Sequence, residues 1–137
     1  PNLFKSSNLQ EMTLVTSKNH GNETLKKLIK LINLRKVVIM GSIGCKIASI
    51  VRGESDIYIC LSLPGNSSPK DWDFAAPESI LKGAGGAITN LDNEELIYGQ
   101  NRFEQGGIIV ATNDKKTHES ICNEIKEIIT TNGIYPL

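Results

Sequence analysis

Apolar positions along the chain change their spacing several times, and each change marks an element. In EMTLVTS, Glu11 to Ser17, threonine, leucine and valine stand together between polar residues, which predicts a short strand. NHGNETLKKLIKLINL then sets Leu25, Leu28, Ile29 and Ile32 at helical spacing, with Asn22 placed to cap the start. Lys26, Lys27 and Lys30 fall on the opposite face and read as a solvated surface. KVVIMGS is rich in β-branched residues and ends at Gly41 and Ser42, the pattern of a buried strand. In SIGCKIASIVRG the apolar residues return at 43, 47, 50 and 51, a helix that Gly53 stops.

SDIYICLSL predicts the next strand, and LPGNSSPKD is a loop by composition. A helix follows with Phe74, Leu81 and Ala84 on one face, closed by GAGG. AITNLDNEELIYG reads as a hairpin about Asp92, Asn93 and Glu94, and GGIIVATN as a further buried strand. KKTHESICNEIKEIIT closes the chain as an amphipathic helix through Ile121, Ile125 and Ile128. Strands alternating with helices predict an α/β fold, a layered mixed β-sheet flanked by helices, with antiparallel pairing supplied by the Ala87 to Gly99 hairpin. Neither a repeat nor a linker divides the sequence, so residues 1–137 are expected to form one domain.

Composition narrows the function. Fifteen basic side chains balance fifteen acidic ones among 137 residues, so no general surface for a nucleic acid polymer is expected, and any anion recognition must be local. No apolar run reaches the ~20 residues of a membrane span, so no membrane partner is expected. Cys45, Cys60 and Cys122 are odd in number and set in apolar runs, which fits reduced core thiols in a cytoplasmic protein better than a disulfide frame or a zinc site. Pro1 is not an initiating residue and PNLFKSSNLQE lacks the plan of a signal peptide, so the chain is expected to be a piece of a longer protein.

Few residues offer chemistry by position alone. Asp73 stands at or just before the first turn of its helix, with Pro77 tolerable in that turn; there a carboxylate can cap N–H groups or face a hard cation such as magnesium. GSIGCK, Gly41 to Lys46, places small residues where a strand becomes a helix, which makes either a tight turn or a close approach to a phosphate. Lys46 is either an anion contact or a snorkelling surface lysine. His20 lies in the polar loop TSKNHGNE, where an exposed turn residue is the default, and His118 reads as a surface residue among charged neighbours. No serine, histidine and acid set can be assigned, so a catalytic residue is not identified.

Taken in order, these pieces resemble one family. WDFAAPESILKGAGG is similar to the C-terminal signature of the inositol monophosphatase superfamily: Trp-Asp, small residues, an apolar helix and a closing Ala-Gly-Gly. GSIGCKIASIVRGESDIY resembles the family's glycine-serine turn, helix, second glycine and Asp-x-Tyr, and VTSKNH is a looser match to its Val-Ser-x-Ser-His element. Lys46 and KDWDFAAPESIL look most like the 3'(2'),5'-bisphosphate nucleotidase branch. The resemblance implies the C-terminal half of the sugar-phosphatase fold and a magnesium-dependent phosphomonoesterase acting on a small phosphorylated substrate, 3'-phosphoadenosine 5'-phosphate first and inositol or sugar phosphates second. It implies that Asp73 ligates magnesium, that Gly41, Ser42 and Lys46 touch sugar or phosphate, and that His20 contacts the nucleotide. The family's other metal ligands, a glutamate and an Asp-Pro-x-Asp-Gly-Thr loop, belong to an N-terminal half that this sequence does not contain. That half is the expected partner, and the chain by itself is not expected to turn over substrate. A noncatalytic phosphate-binding domain is the reading from another class.

Overall fold

Strand alternation decides which side of the sheet each residue serves. A computed structural model describes residues 8–17, 23–62, 71–99 and 107–134. After a short 3-10 turn at Leu9–Glu11 come β1 (Thr13–Thr16), α1 (Glu23–Ile32), β2 (Lys36–Ile39), α2 (Ile43–Val51), β3 (Ile57–Ser62), α3 (Asp71–Gly83), β4 (Ala87–Asn90), β5 (Gly107–Thr112) and α4 (Lys115–Asn132). The five strands form one mixed sheet in the order β2-β1-β3-β5-β4. β1 pairs parallel with β2 and β3, whereas β5 pairs antiparallel with β3 and β4.

Leu14, Ile57, Ile59, Ile108 and Val110 face one side and pack with Leu25, Leu28 and Ile32 of α1 and Ile121, Ile125 and Ile129 of α4. Their neighbours Val15, Tyr58, Ile109 and Ala111 face the other side and pack with Ile47 and Ile50 of α2 and Phe74 and Leu81 of α3. Helices on both faces of a mixed sheet are the predicted architecture. Among the described residues no helix is long and apolar enough to cross a membrane.

Several sequence expectations are corrected. β2 is not buried: among the described residues it is an outer strand paired only with β1, and Val37 and Ile39 keep 42% and 59% of their surface. His118 is not a surface residue; with Ile121, Cys122, Ile125 and Ile129 it forms the inward stripe of α4. Cys122 is a core thiol as expected, but Cys60 is half-buried and Cys45 is exposed, because it lies in the outward part of the first turn of α2. Ala84 is exposed beyond the end of α3, and Glu78 takes a place on the buried face. Pro77 lies inside α3 and not in its first turn, since the helix starts at Asp71. The hairpin about Asp92 to Glu94 closes through the Asn90 side chain and a lone Thr89 to Glu95 bridge, and the long antiparallel partner of β4 is β5. Asn22 and the loop 63–70 lie outside the described residues.

Candidate anion-binding site

Topology places two helix N-termini at one edge of the sheet. α2 begins directly after β2, and α3 starts beyond the end of β3 and returns to Gly86, which touches Thr112 at the opposite end of the strands. Both helices therefore begin at the carboxyl end of the parallel strands, the edge where open α/β sheets bind ligands.

Ser42 caps α2: its Oγ accepts from Cys45 N at 3.1 Å, and its carbonyl accepts from Lys46 N at 3.0 Å. The cap leaves Ile43 and Gly44 with N–H groups that have no intrahelical acceptor, at the positive end of the helix dipole. A Cβ built on Gly41 would meet nothing within 4 Å, so its missing side chain serves no packing need and leaves the turn open to close approach.

Lys46, one turn further, is neither snorkelling nor exposed: 3% of its surface is accessible. Among the described residues no carboxylate lies within ion-pair distance of its ammonium. Its Nζ stands 5.3 Å from the centroid of the Tyr58 ring. Burial pulls the lysine below its ordinary pKa, opposed by the neighbouring Cys60 and Cys45 thiols. Side chains on a helix lean toward its N-terminus, the direction in which the Gly41 turn lies from Lys46.

Asp73 is the third residue of α3 and half-buried, inside the first turn and not at the cap. It lies near enough to Tyr58 to help raise the phenol, after the larger effect of burial and that of Cys60, so Tyr58 remains a neutral phenol. α3 is held along its length: Asp71 Oδ2 accepts from Gly99 N at 2.7 Å, Glu78 Oε1 from the Tyr98 hydroxyl at 2.5 Å, and Lys82 pairs with Glu95 at 2.9 Å. Among the described residues no three histidine, cysteine or acidic side chains converge as a metal site. One carboxylate supplies at most two of the roughly six oxygens that magnesium takes, so these residues do not by themselves fit the ion.

The structure thus brings Gly41, Ser42 and Lys46 onto one strand-to-helix turn and its helix and sets Asp73 near enough to Tyr58 to influence its phenol, while His20 lies outside the described residues. From the sequence Tyr58 entered only as the tyrosine of the Asp-x-Tyr element and Cys60 only as a core thiol, neither as a neighbour of Lys46. Their signal was the period of two in β3, which puts both on the α2 side. Asp56, in the same motif, serves elsewhere: its carboxylate accepts from Thr13 N at 2.8 Å and Asn113 Nδ2 at 3.1 Å, tying β1 to the end of β5.

Comparison with known proteins bears on the family and the fold. The model of the inositol monophosphatase family matches residues 2–130. The chain is 28% identical over 109 residues to 3'(2'),5'-bisphosphate nucleotidase 1 of Mus musculus, covering 78% of this chain and 34% of that protein. It is 25% identical over 144 residues to inositol monophosphatase 3 of Xenopus laevis, covering 98% of this chain and 39% of that one. A crystal structure of SaIMPase-II with inositol monophosphate bound superposes with a TM-score of 0.70 at 24% identity, over 96% of this chain and 47% of that chain. A Thermotoga maritima inositol monophosphatase superposes at 0.67 and 21% identity, over 97% and 46%. The chain spans about a third of the length of these curated relatives and about half of these solved chains.

Proposed function

The chain belongs to the inositol monophosphatase family, and from that premise we propose that it is the substrate-holding half of a magnesium-dependent phosphomonoesterase whose preferred substrate is 3'-phosphoadenosine 5'-phosphate, cleaved to AMP and phosphate. The observation that carries this reading is Lys46, a buried side chain with no carboxylate partner among the described residues, on the first turns of α2 after its uncapped N–H groups. A buried cation without a counter-ion favours the arrival of an anion, because pairing relieves the desolvation that burial imposes. In this role Gly41 and Ser42 shape the turn, the Ile43 and Gly44 amides and Lys46 hold phosphate or sugar oxygens, and His20 contacts the nucleotide. Asp73 contributes one ligand of a magnesium site completed by carboxylates from the other half of the protein, so the chain alone is inactive. The three free cysteines support a cytoplasmic location for the complete protein.

The nucleotidase reading is favoured over a second by the relatives named 3'(2'),5'-bisphosphate nucleotidase, the human one being 32% identical over 85 residues. An inositol or sugar phosphate substrate is the second reading, supported by the likeness to inositol monophosphatase 3. Phosphate release by the complete protein from 3'-phosphoadenosine 5'-phosphate and from inositol 1-phosphate, with magnesium, separates them. Equal or faster release from the inositol ester overturns the first reading. Binding of phosphate esters with no release from either would instead identify a noncatalytic module.

A further inference from the structure

Tyr58 sits on β3, the central strand of the sheet. Its backbone is paired with Val15 of β1 on one side and Ala111 of β5 on the other, and 5% of its surface is exposed. The backbone that carries the ring is therefore held between two strands, and the ring itself is packed in the core. Above it lies the Lys46 ammonium, 5.3 Å from the ring centroid and within the range in which an aromatic face attracts a cation.

Lys46 needs such a partner. A lysine on four rotatable bonds, buried and without a carboxylate among the described residues, has two ways to relieve its charge: it gives up its proton more readily, or it swings to solvent. Either would remove a fixed cation from the turn at Gly41. The aromatic face opposes both, because it stabilises the charged form at one place without neutralising it as a carboxylate would. A carboxylate in that position would compete with any incoming phosphate; an aromatic ring does not.

We propose that Tyr58 is the positioning residue for Lys46, holding its ammonium charged and directed at the N-terminus of α2 through the face of the ring and not through the hydroxyl. The inference rests on the anion-binding reading of Lys46. Tyr58 itself contacts no substrate in this scheme.

The test uses the 137-residue chain, with inorganic phosphate as the probe and calorimetry and proton NMR as readouts. Tyr58→Phe keeps the ring and is expected to bind phosphate within about twofold of the parent. Tyr58→Leu removes the ring and is expected to bind roughly 2- to 30-fold more weakly, the span of a desolvated cation–π contact, and so to approach Lys46→Met. The Lys46 ε-methylene protons should be shifted upfield by the ring in the parent and in Tyr58→Phe, and not in Tyr58→Leu. Should Tyr58→Leu fail to fold, Tyr58→Phe made with a pentafluorinated ring keeps the volume while reversing the charge of the face, and should weaken binding likewise. If the leucine or fluorinated variant binds like the parent while Lys46→Met does not, the role of Tyr58 is wrong and the anion site stands. If Lys46→Met binds like the parent, or the parent binds no phosphate, the anion reading and this inference are both overturned. A parent spectrum without the upfield shift overturns the inference alone.

Discussion

His118 Nε2 meets the Thr89 hydroxyl at 2.7 Å, and because that hydroxyl spends its own proton on the Asn90 carbonyl, also at 2.7 Å, the imidazole must be the donor. The other ring nitrogen, Nδ1, is then left to accept from the Thr112 hydroxyl at 2.8 Å. α4 is thereby tied to β4 and β5 through one neutral tautomer. Cys122 Sγ, 3.4 Å from Nε2, completes the surroundings, and burial pushes its thiol up to about 11.

Acid should therefore loosen the fold. Burial lowers His118 from 6.5 to about 4. Between these values the unfolded chain binds a proton that the folded chain refuses, so stability rises with pH across the window and is lost as pH falls from 6.5 toward 4. The contribution is on the order of 3 kcal/mol. Urea unfolding at a series of pH values should show this slope, and His118→Gln should flatten it. A slope unchanged in the variant would assign the acid sensitivity to other groups.

Lys46→Met separates binding from folding. Methionine fills a similar volume and removes a buried charge, so stability should stay within about 1 kcal/mol of the parent or exceed it. Phosphate affinity should fall at least about tenfold, the loss that accompanies removal of a charged contact. Thermal unfolding and calorimetry on the same sample check both halves of the expectation. A variant that loses stability and keeps phosphate would show a structural lysine.

Two glycines make opposite predictions. A Cβ on Gly86 would stand 2.5 Å from the Thr112 carbonyl oxygen and 2.6 Å from Leu81 Cδ1, and the backbone oxygen cannot yield, so Gly86→Ala should destabilise by roughly 1–3 kcal/mol. At Gly41 the same atom meets nothing, and Gly41→Ala should leave stability within about 0.5 kcal/mol. If the turn approaches a phosphate closely, Gly41→Ala should nonetheless weaken phosphate binding. Binding and denaturation curves for the pair distinguish a glycine kept for packing from one kept for access.

What the sequence made legible follows from which signals are local. Period and turn chemistry located the strands and helices, and the Gly53 stop and the strand-to-helix turn at Gly41 were readable from neighbouring residues. Burial of β2 was not, because β-branched residues report a strand and say nothing of whether helices cover it; Val37 and Ile39 lie beyond their reach. His118 was misjudged by weighing its charged neighbours above its place three and four residues before Ile121 and Cys122, which puts it on the inward stripe. For the candidate site, motif order proposed Gly41, Ser42, Lys46 and Asp73. The burial of Lys46 and its seat on Tyr58 depend on a strand more than ten residues away, which no local pattern reports.

Asp73→Asn tests the metal role without removing the helix start. Asp73 lies within the first turn of α3, while Asp71 holds Gly99 and stays in place. Losing one charge near the dipole end should change stability by less than about 1 kcal/mol. Asparagine keeps the shape but offers a poor ligand to a hard cation, so phosphate release by the complete protein should fall at least about a hundredfold, with a higher magnesium requirement. Inorganic phosphate binding by the 137-residue chain should hardly change, since that contact belongs to Lys46 and the α2 turn. Full activity at the parent's magnesium requirement would remove Asp73 from the metal site. Phosphate binding lost together with activity would instead place Asp73 among the residues that shape the anion site.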